Sequence, residues 1–238
     1  MKSHSLSTLV VGVMLIACAG CQSNTFTHQK FHERSPQLTK VVLLPPQIKT
    51  GVASNLCVVL QGPPLPEEAK MRAELPGLIA TAFRQHGLAL AGSVQPAQLT
   101  DATNQFWNTG LPDNFFAAYK TMSDLKTVQP EAIALANHLH ADGLVCLNVY
   151  AFQSSSSRKG RVALNNFLVF ILALGGGQPG YWTPTSAWTP CSEAVVQISL
   201  FDGKTGELLW RTLQDFTPFE QKPPAQVVAE LFQNYPKR

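Results

Sequence analysis

Five cysteines and six histidines are the residues of this sequence best suited to nucleophilic or metal chemistry. His28 and His32 stand four apart and could share a helix face as two ligands would. They sit in a polar stretch without periodicity and read as solvated. His138 and His140 are two apart, so on a helix they point about 200° from each other and cannot easily share one metal. Beyond the first 21 residues there is no Cys-x-x-Cys pair, and neither zinc nor dithiol chemistry is indicated. "GKT" at Gly203–Thr205 ends like a phosphate-binding loop, but Ile198 stands where that loop needs its first glycine. "GGGQPG" is followed by no basic residue, and no G-x-S-x-G elbow occurs. Glu67 and Glu68 suit a first helical turn, where negative charge is favoured, and Asp142 suits a turn after a helix. No catalytic residue, metal or cofactor is expected, and the chain does not read as an enzyme.

The remaining chemistry is that of a modified thiol. In "LVVGVMLIACAGCQSN" (Leu9–Asn24) an apolar run ends on Cys18 and Cys21. With Lys2 ahead of it, the run has the layout of a signal peptide and is too short to span a bilayer, which takes about 20 apolar residues. "LIAC" and "CAGC" both resemble the bacterial lipobox. That resemblance implies a thioether-linked diacylglycerol on the cysteine, cleavage just before it, and acylation (palmitate) of the new N-terminus. Cys18 is the better local fit, with Leu15 and Ala17 before it; Cys21 is the alternative. An ordinary secretory signal with two incidental cysteines is the competing reading. Neither Ala19 nor Gln22 is an aspartate, which by the enteric sorting rule points to the outer membrane, lipid-anchored and facing the periplasm. Several acyl chains anchor stably where one would be marginal. Residues 1–17 are thus read as signal peptide, 18–38 as a lipidated tether, and 39–238 as one periplasmic domain.

Some 14% of residues are charged and 45% hydrophobic, and the net charge is +3. That charge is too small to argue for nucleic acid as a partner. Cys57, Cys146 and Cys191 lie in the mature body. One disulfide plus a free thiol and three buried thiols are both open. Cys146 sits in an apolar run as a small core residue.

Periodicity supplies the frame. "KVVLLPP" (Lys40–Pro46) reads as a buried strand stopped by two prolines. Met71, Leu75, Leu78, Ile79, Ala82 and Phe83 recur at helical spacing, with Gly87 as terminator. Pro76 inside that run is expected to kink the helix or start its second part. "LALAGSV" reads as a short strand. One or two short helices are expected between about 96 and 128. Pro130 opens a helix reaching about His140, and Leu144–Phe152 forms a buried strand. Two strands, about 194–201 and 207–215, flank a turn formed by Asp202, Gly203, Thr205 and Gly206. A terminal helix follows over 223–234. The expected class is α/β (α+β): a mixed sheet packed by helices, with a C-terminal β-hairpin and a final helix.

"VVLLPP", "FRQHGLALAG", "ADGLVCLNVYAF" and "VQISLFDGKTGELLWR" occur in that order. The chain resembles periplasmic α/β lipoproteins related to the curli-secretion channel lipoprotein and the TolB N-terminal domain. The resemblance implies a non-enzymatic envelope protein that forms rings or assists secretion or surface assembly, with an envelope protein or its own copies as partners. It departs where channel members carry alternating membrane strands, because Phe167–Leu174 is apolar at every position. This run, with Phe167, Phe170, Tyr181, Trp182 and Trp188, lies in an apolar insertion at about 162–190. It is either core or an arm that contacts a partner or the membrane interface, where Tyr and Trp are enriched. The competing function is a monomeric tethered binding module for a peptide, glycan or envelope polymer.

Overall fold

The structure is a computed structural model. It describes residues 24–53, 60–96, 127–155, 192–216 and 223–237, with Leu99, Leu111, Ala117, Ala118, Lys120 and Met122 between them. Among the described residues eight strands form one mixed sheet: β1 (Asn24–Thr27), β2 (Val41–Leu43), β3 (Gln47–Ala53), β4 (Leu60–Gln61), β5 (Leu90–Ser93), β6 (Gly143–Ser154), β7 (Ser192–Asp202) and β8 (Leu208–Phe216). Among the described residues, four helices have defined bounds: α1 (Phe31–Arg34), α2 (Glu67–Gln85), α3 (Pro130–Leu139) and α4 (Pro224–Leu231).

The sheet order is β1-β8-β7-β6-β2-β5. Along its other edge β6 takes β2 and then β3, both parallel, on either side of Pro45 and Pro46. Proline lacks the N–H a ladder needs, so the two prolines divide one long pairing into two strands. The antiparallel core is β6–β7–β8, with Leu144 opposite Phe201 and Leu200 opposite Trp210. The α/β class with its C-terminal hairpin and final helix is what the sequence leads one to expect.

Both faces are covered. One carries Val145, Leu147, Val196, Ile198 and Trp210 against Met71, Leu75, Ile79 and Phe83 of α2 and Val228 and Leu231 of α4. Phe83 meets Trp210, Phe232 and Tyr235 edge-on, with ring centroids 4.8–6.0 Å apart. On the opposite face Leu144, Cys146 and Phe201 pack on Ala132, Leu135 and Ala136 of α3. Further along, Tyr150, Phe152, Val195 and Leu213 meet Leu111, Ala118 and Met122.

Two sequence expectations change. Residues 18–38 do not all serve as tether: Asn24–Thr27 pairs with β8, and Phe31 is fully buried beside Tyr235. Strand hydrogen bonds and one aromatic peg outweigh the polar composition of that stretch. Of the two expectations for Pro76, that of a separate second part falls, because the residue lies inside α2, which runs over 19 residues. Five residues buried against the sheet, Met71, Leu75, Ile79, Ala82 and Phe83, offset a proline cost of about 3 kcal/mol. The insertion at 162–190 and most of 96–128 lie outside the described residues.

Candidate functional site

The two ends of the sheet differ in chemistry. At the first, the β7–β8 turn, Asp202 Oδ1 accepts hydrogen bonds from the N–H groups of Lys204 (2.8 Å) and Thr205 (3.3 Å). Gly206 has φ 70°, and a Cβ there would lie 2.4 Å from the Gln129 carbonyl oxygen. Gln129 N–H donates to that same glycine's carbonyl at 2.8 Å, which seats the turn on the start of α3. A Cβ on Gly203 would lie 2.7 Å from Ala136 Cβ. Arg34 closes the turn from outside, ion-pairing with Glu207 and, at 3.6 Å, with Asp202, and donating to Thr205 Oγ1. Nearby, Asp142 Oδ2 accepts from Thr39 Oγ1 (2.5 Å), Thr39 N (3.2 Å) and Lys40 N (3.0 Å). The Thr39 hydroxyl and then the Lys40 N–H hold its carboxyl below the usual range. These charges bond one another and the backbone, and the arrangement is that of a clasp.

The other end is where β1 begins, β8 finishes at Phe216, β6 finishes at Ser154 and β3 finishes at Ala53. Ser155 N–H closes it by donating to Ala53 O at 3.0 Å.

Between the ends, the face covered by α3 carries a polar band that the sequence reading missed. Asn148, Gln197 and Ser199 sit on β6 and β7, and Arg211 and Asp215 share Leu213's face of β8 by alternation. Asn148 Nδ2 donates to Gln197 Oε1 at 2.7 Å, and Gln197 Nε2 donates to the Met122 carbonyl at 2.5 Å. Asn148 Oδ1, Ser199 Oγ and Asp215 Oδ1 are buried without a hydrogen bond. Burial pushes the Asp215 carboxyl up to about 6. The available signal was parity: aligning β6 with β7 sets Asn148 opposite Gln197.

A groove of about 500 Å³ lies between α2 and α4, floored by Leu78, Ala82, Val228 and Phe232. Cys146 is a free, buried thiol whose pKa burial raises. His28 Nδ1 accepts from Lys30 N–H, and His140 caps α3 with φ 50° rather than continuing the helix. Among the described residues no group of three or more His, Cys, Asp or Glu side chains could hold a metal ion. No described helix is long and apolar enough to cross a membrane. Cys18, Cys21, Cys57, Cys191, Phe167, Phe170, Tyr181, Trp182 and Trp188 lie outside the described residues.

No family model matches the chain, and no curated protein matches it. Among solved structures it is similar to the PelC dodecamer from Paraburkholderia phytofirmans, at 10% identity, with 89% of this chain and 91% of that chain covered and a TM-score of 0.38. It is also similar to the LpoB C-terminal domain from Salmonella enterica (13% identity, 86% and 90% covered, TM-score 0.30). A third is lipoprotein GNA1162 from Neisseria meningitidis (10% identity, 83% and 99% covered, TM-score 0.33). Overlays at these scores are loose, and the fold stands on the strand pairing described above. The curli-type resemblance rests on the sequence alone.

Proposed function

We propose that this chain is a non-enzymatic lipoprotein of the bacterial envelope, held at the outer membrane by an acylated cysteine and facing the periplasm. It acts as an assembly or secretion accessory through contacts with an envelope protein or its own copies. The observation that carries this reading is the apolar run ending on Cys18 and Cys21 at lipobox-like spacing. The chemistry at the β7–β8 turn supports an accessory role, because its charged groups bond the backbone and one another. Phe167, Phe170, Tyr181, Trp182 and Trp188 are the proposed contact with a partner or with the membrane interface. The chain leaves for that insertion from Ser155 and returns at Ser192, both at the sheet end where β1 begins. The turn of Asp202, Gly203, Thr205 and Gly206 serves structure in this reading.

Mass spectrometry of the N-terminal peptide from envelope fractions tests it, for the natural chain and for Cys18→Ser and Cys21→Ser. The expected result is a diacylglyceryl-modified, N-acylated cysteine, lost in one of the two variants. A mature chain that starts elsewhere without lipid would end the reading. Light scattering of the detergent-extracted protein separates the accessory role, which calls for an oligomer or a complex, from the alternative of a monomeric tethered binding module.

A further inference from the structure

We propose that the end of the sheet where β1 begins is seated on the surface of the lipid bilayer, leaving the Asp202 turn as the outermost point of the described fold. This inference rests on the lipidation proposed above and adds an orientation to it.

Cys21 precedes Asn24 by three positions and Cys18 by six. An extended chain covers at most about 3.5 Å per residue, so the acylated sulfur stays within roughly 10–20 Å of Asn24. Asn24 itself is fixed. It pairs opposite Leu213, and Thr27 pairs opposite Trp210. His28 N–H donates to Leu209 O at 2.9 Å. Phe31, with no exposed surface, pegs the arm into the aromatic cluster, and Arg34 ties it to Asp202 and Glu207. Little slack remains between the anchor and the sheet.

The direction is set by the pairing. β1 is antiparallel to β8, so the chain ahead of Asn24 is directed toward Phe216 and away from Trp210. Ser154 and Ala53 mark the same end. Arg34, Lys40, Asp142, Asp202, Lys204 and Glu207 gather at the far end. Among the described residues of the near end, Ala53, Leu60, Gln61, Ser154 and Ser155 are uncharged, and the acids are Glu193 on β7 and Asp215 on β8. To approach the headgroups, the far end would have to shed the hydration of its clustered ions. At about 3.3 Å per residue, the 12 residues of β6 hold the two ends roughly 35 Å apart.

The test uses the full-length acylated protein in phosphatidylethanolamine/phosphatidylglycerol vesicles, with and without a lipid carrying a nitroxide on its headgroup. Ser155 and Lys204 are replaced, one at a time, by a genetically encoded fluorescent amino acid. Gln61 gives a second near position should a change at Ser155 disturb the fold. Quenching at least threefold stronger at the near positions than at 204 is expected. Inserting twenty Gly and Ser residues between Cys21 and Asn24 should abolish the difference. Equal quenching, or stronger quenching at 204, in a preparation whose acylation is verified by mass would overturn the orientation and leave the lipidation reading standing. An unacylated chain would overturn both.

Discussion

The face of the sheet under α2 and α4 buries Trp210, Phe83, Phe232 and Tyr235 in one continuous apolar cluster. The face under α3 carries two smaller clusters separated by Asn148, Gln197, Ser199 and Arg211, with Asp215 beside the second of them. Apolar contact is non-directional, so the first face supplies stability in proportion to the area it removes from water. The second face gives some of that up, since each buried polar atom left unpaired costs about 1–3 kcal/mol. What it gains is direction: the Asn148–Gln197–Met122 relay fixes where the segment bearing Met122 lies. One face makes the fold stable, and the other specifies what covers it.

Trp210→Ala should break the comparison most severely. The side chain is fully buried, and about 4 kcal/mol of stability should be lost in chemical denaturation. A loss under 2 kcal/mol would mean that the aromatic face is not the dominant one. Phe31→Ala should cost about 3 kcal/mol and also speed amide exchange at Thr25–Thr27, because the peg that holds β1 is gone. Unchanged exchange there would show that β1 is held by its pairing alone. Gln197→Leu should cost about 2 kcal/mol, by leaving the Met122 carbonyl and the Asn148 amide unpaired. Adding Asn148→Leu should restore part of that, and strict additivity in the double-mutant cycle would remove the relay from the account.

Asp215→Asn should have the smallest effect. The folded chain binds the Asp215 proton more tightly than the unfolded chain does, with a pKa of about 6 against roughly 3.9. Its contribution is therefore most favourable below about pH 4, declines as pH rises toward 6, and levels off above that. The substitution should add roughly 1 kcal/mol at pH 7.5, discounted for half-burial, and nothing at pH 4. Equal stabilisation at both pH values would exclude the buried carboxylate as its source.

Legibility in the sequence followed the same division. Helix α2 and the final helix show their buried faces through spacing alone, and Asp202 with its glycines marks the hairpin turn. β1 was invisible because "NTFT" holds a single apolar residue and gains its stability from a partner almost 190 positions away. β3 was obscured by Lys49 and Thr50. Thr50 is buried as a bond partner for Glu68 Oε2 and Leu65 N–H, and Lys49 Nζ donates to the Leu111 carbonyl. The polar band was missed because a polar residue within a strand reads as facing water. Only the covering segment buries it, and single-strand alternation does not register a third layer. Arg34 acts across 171 positions on Thr205, a distance at which local pattern has nothing to report.

The pairing of β1 with β8 also sets an order of events. A chain delivered through a membrane N-terminus first presents Asn24–Thr27 early and Leu208–Phe216 among its last residues. In the proposed lipoprotein, this strand would stay without its neighbour until almost the whole polypeptide had emerged, and its closure would mark the arrival of the final hairpin. Under the same proposal, a product cut short before the final hairpin would keep its anchor while Asn24–Thr27 lacked the strand it pairs with.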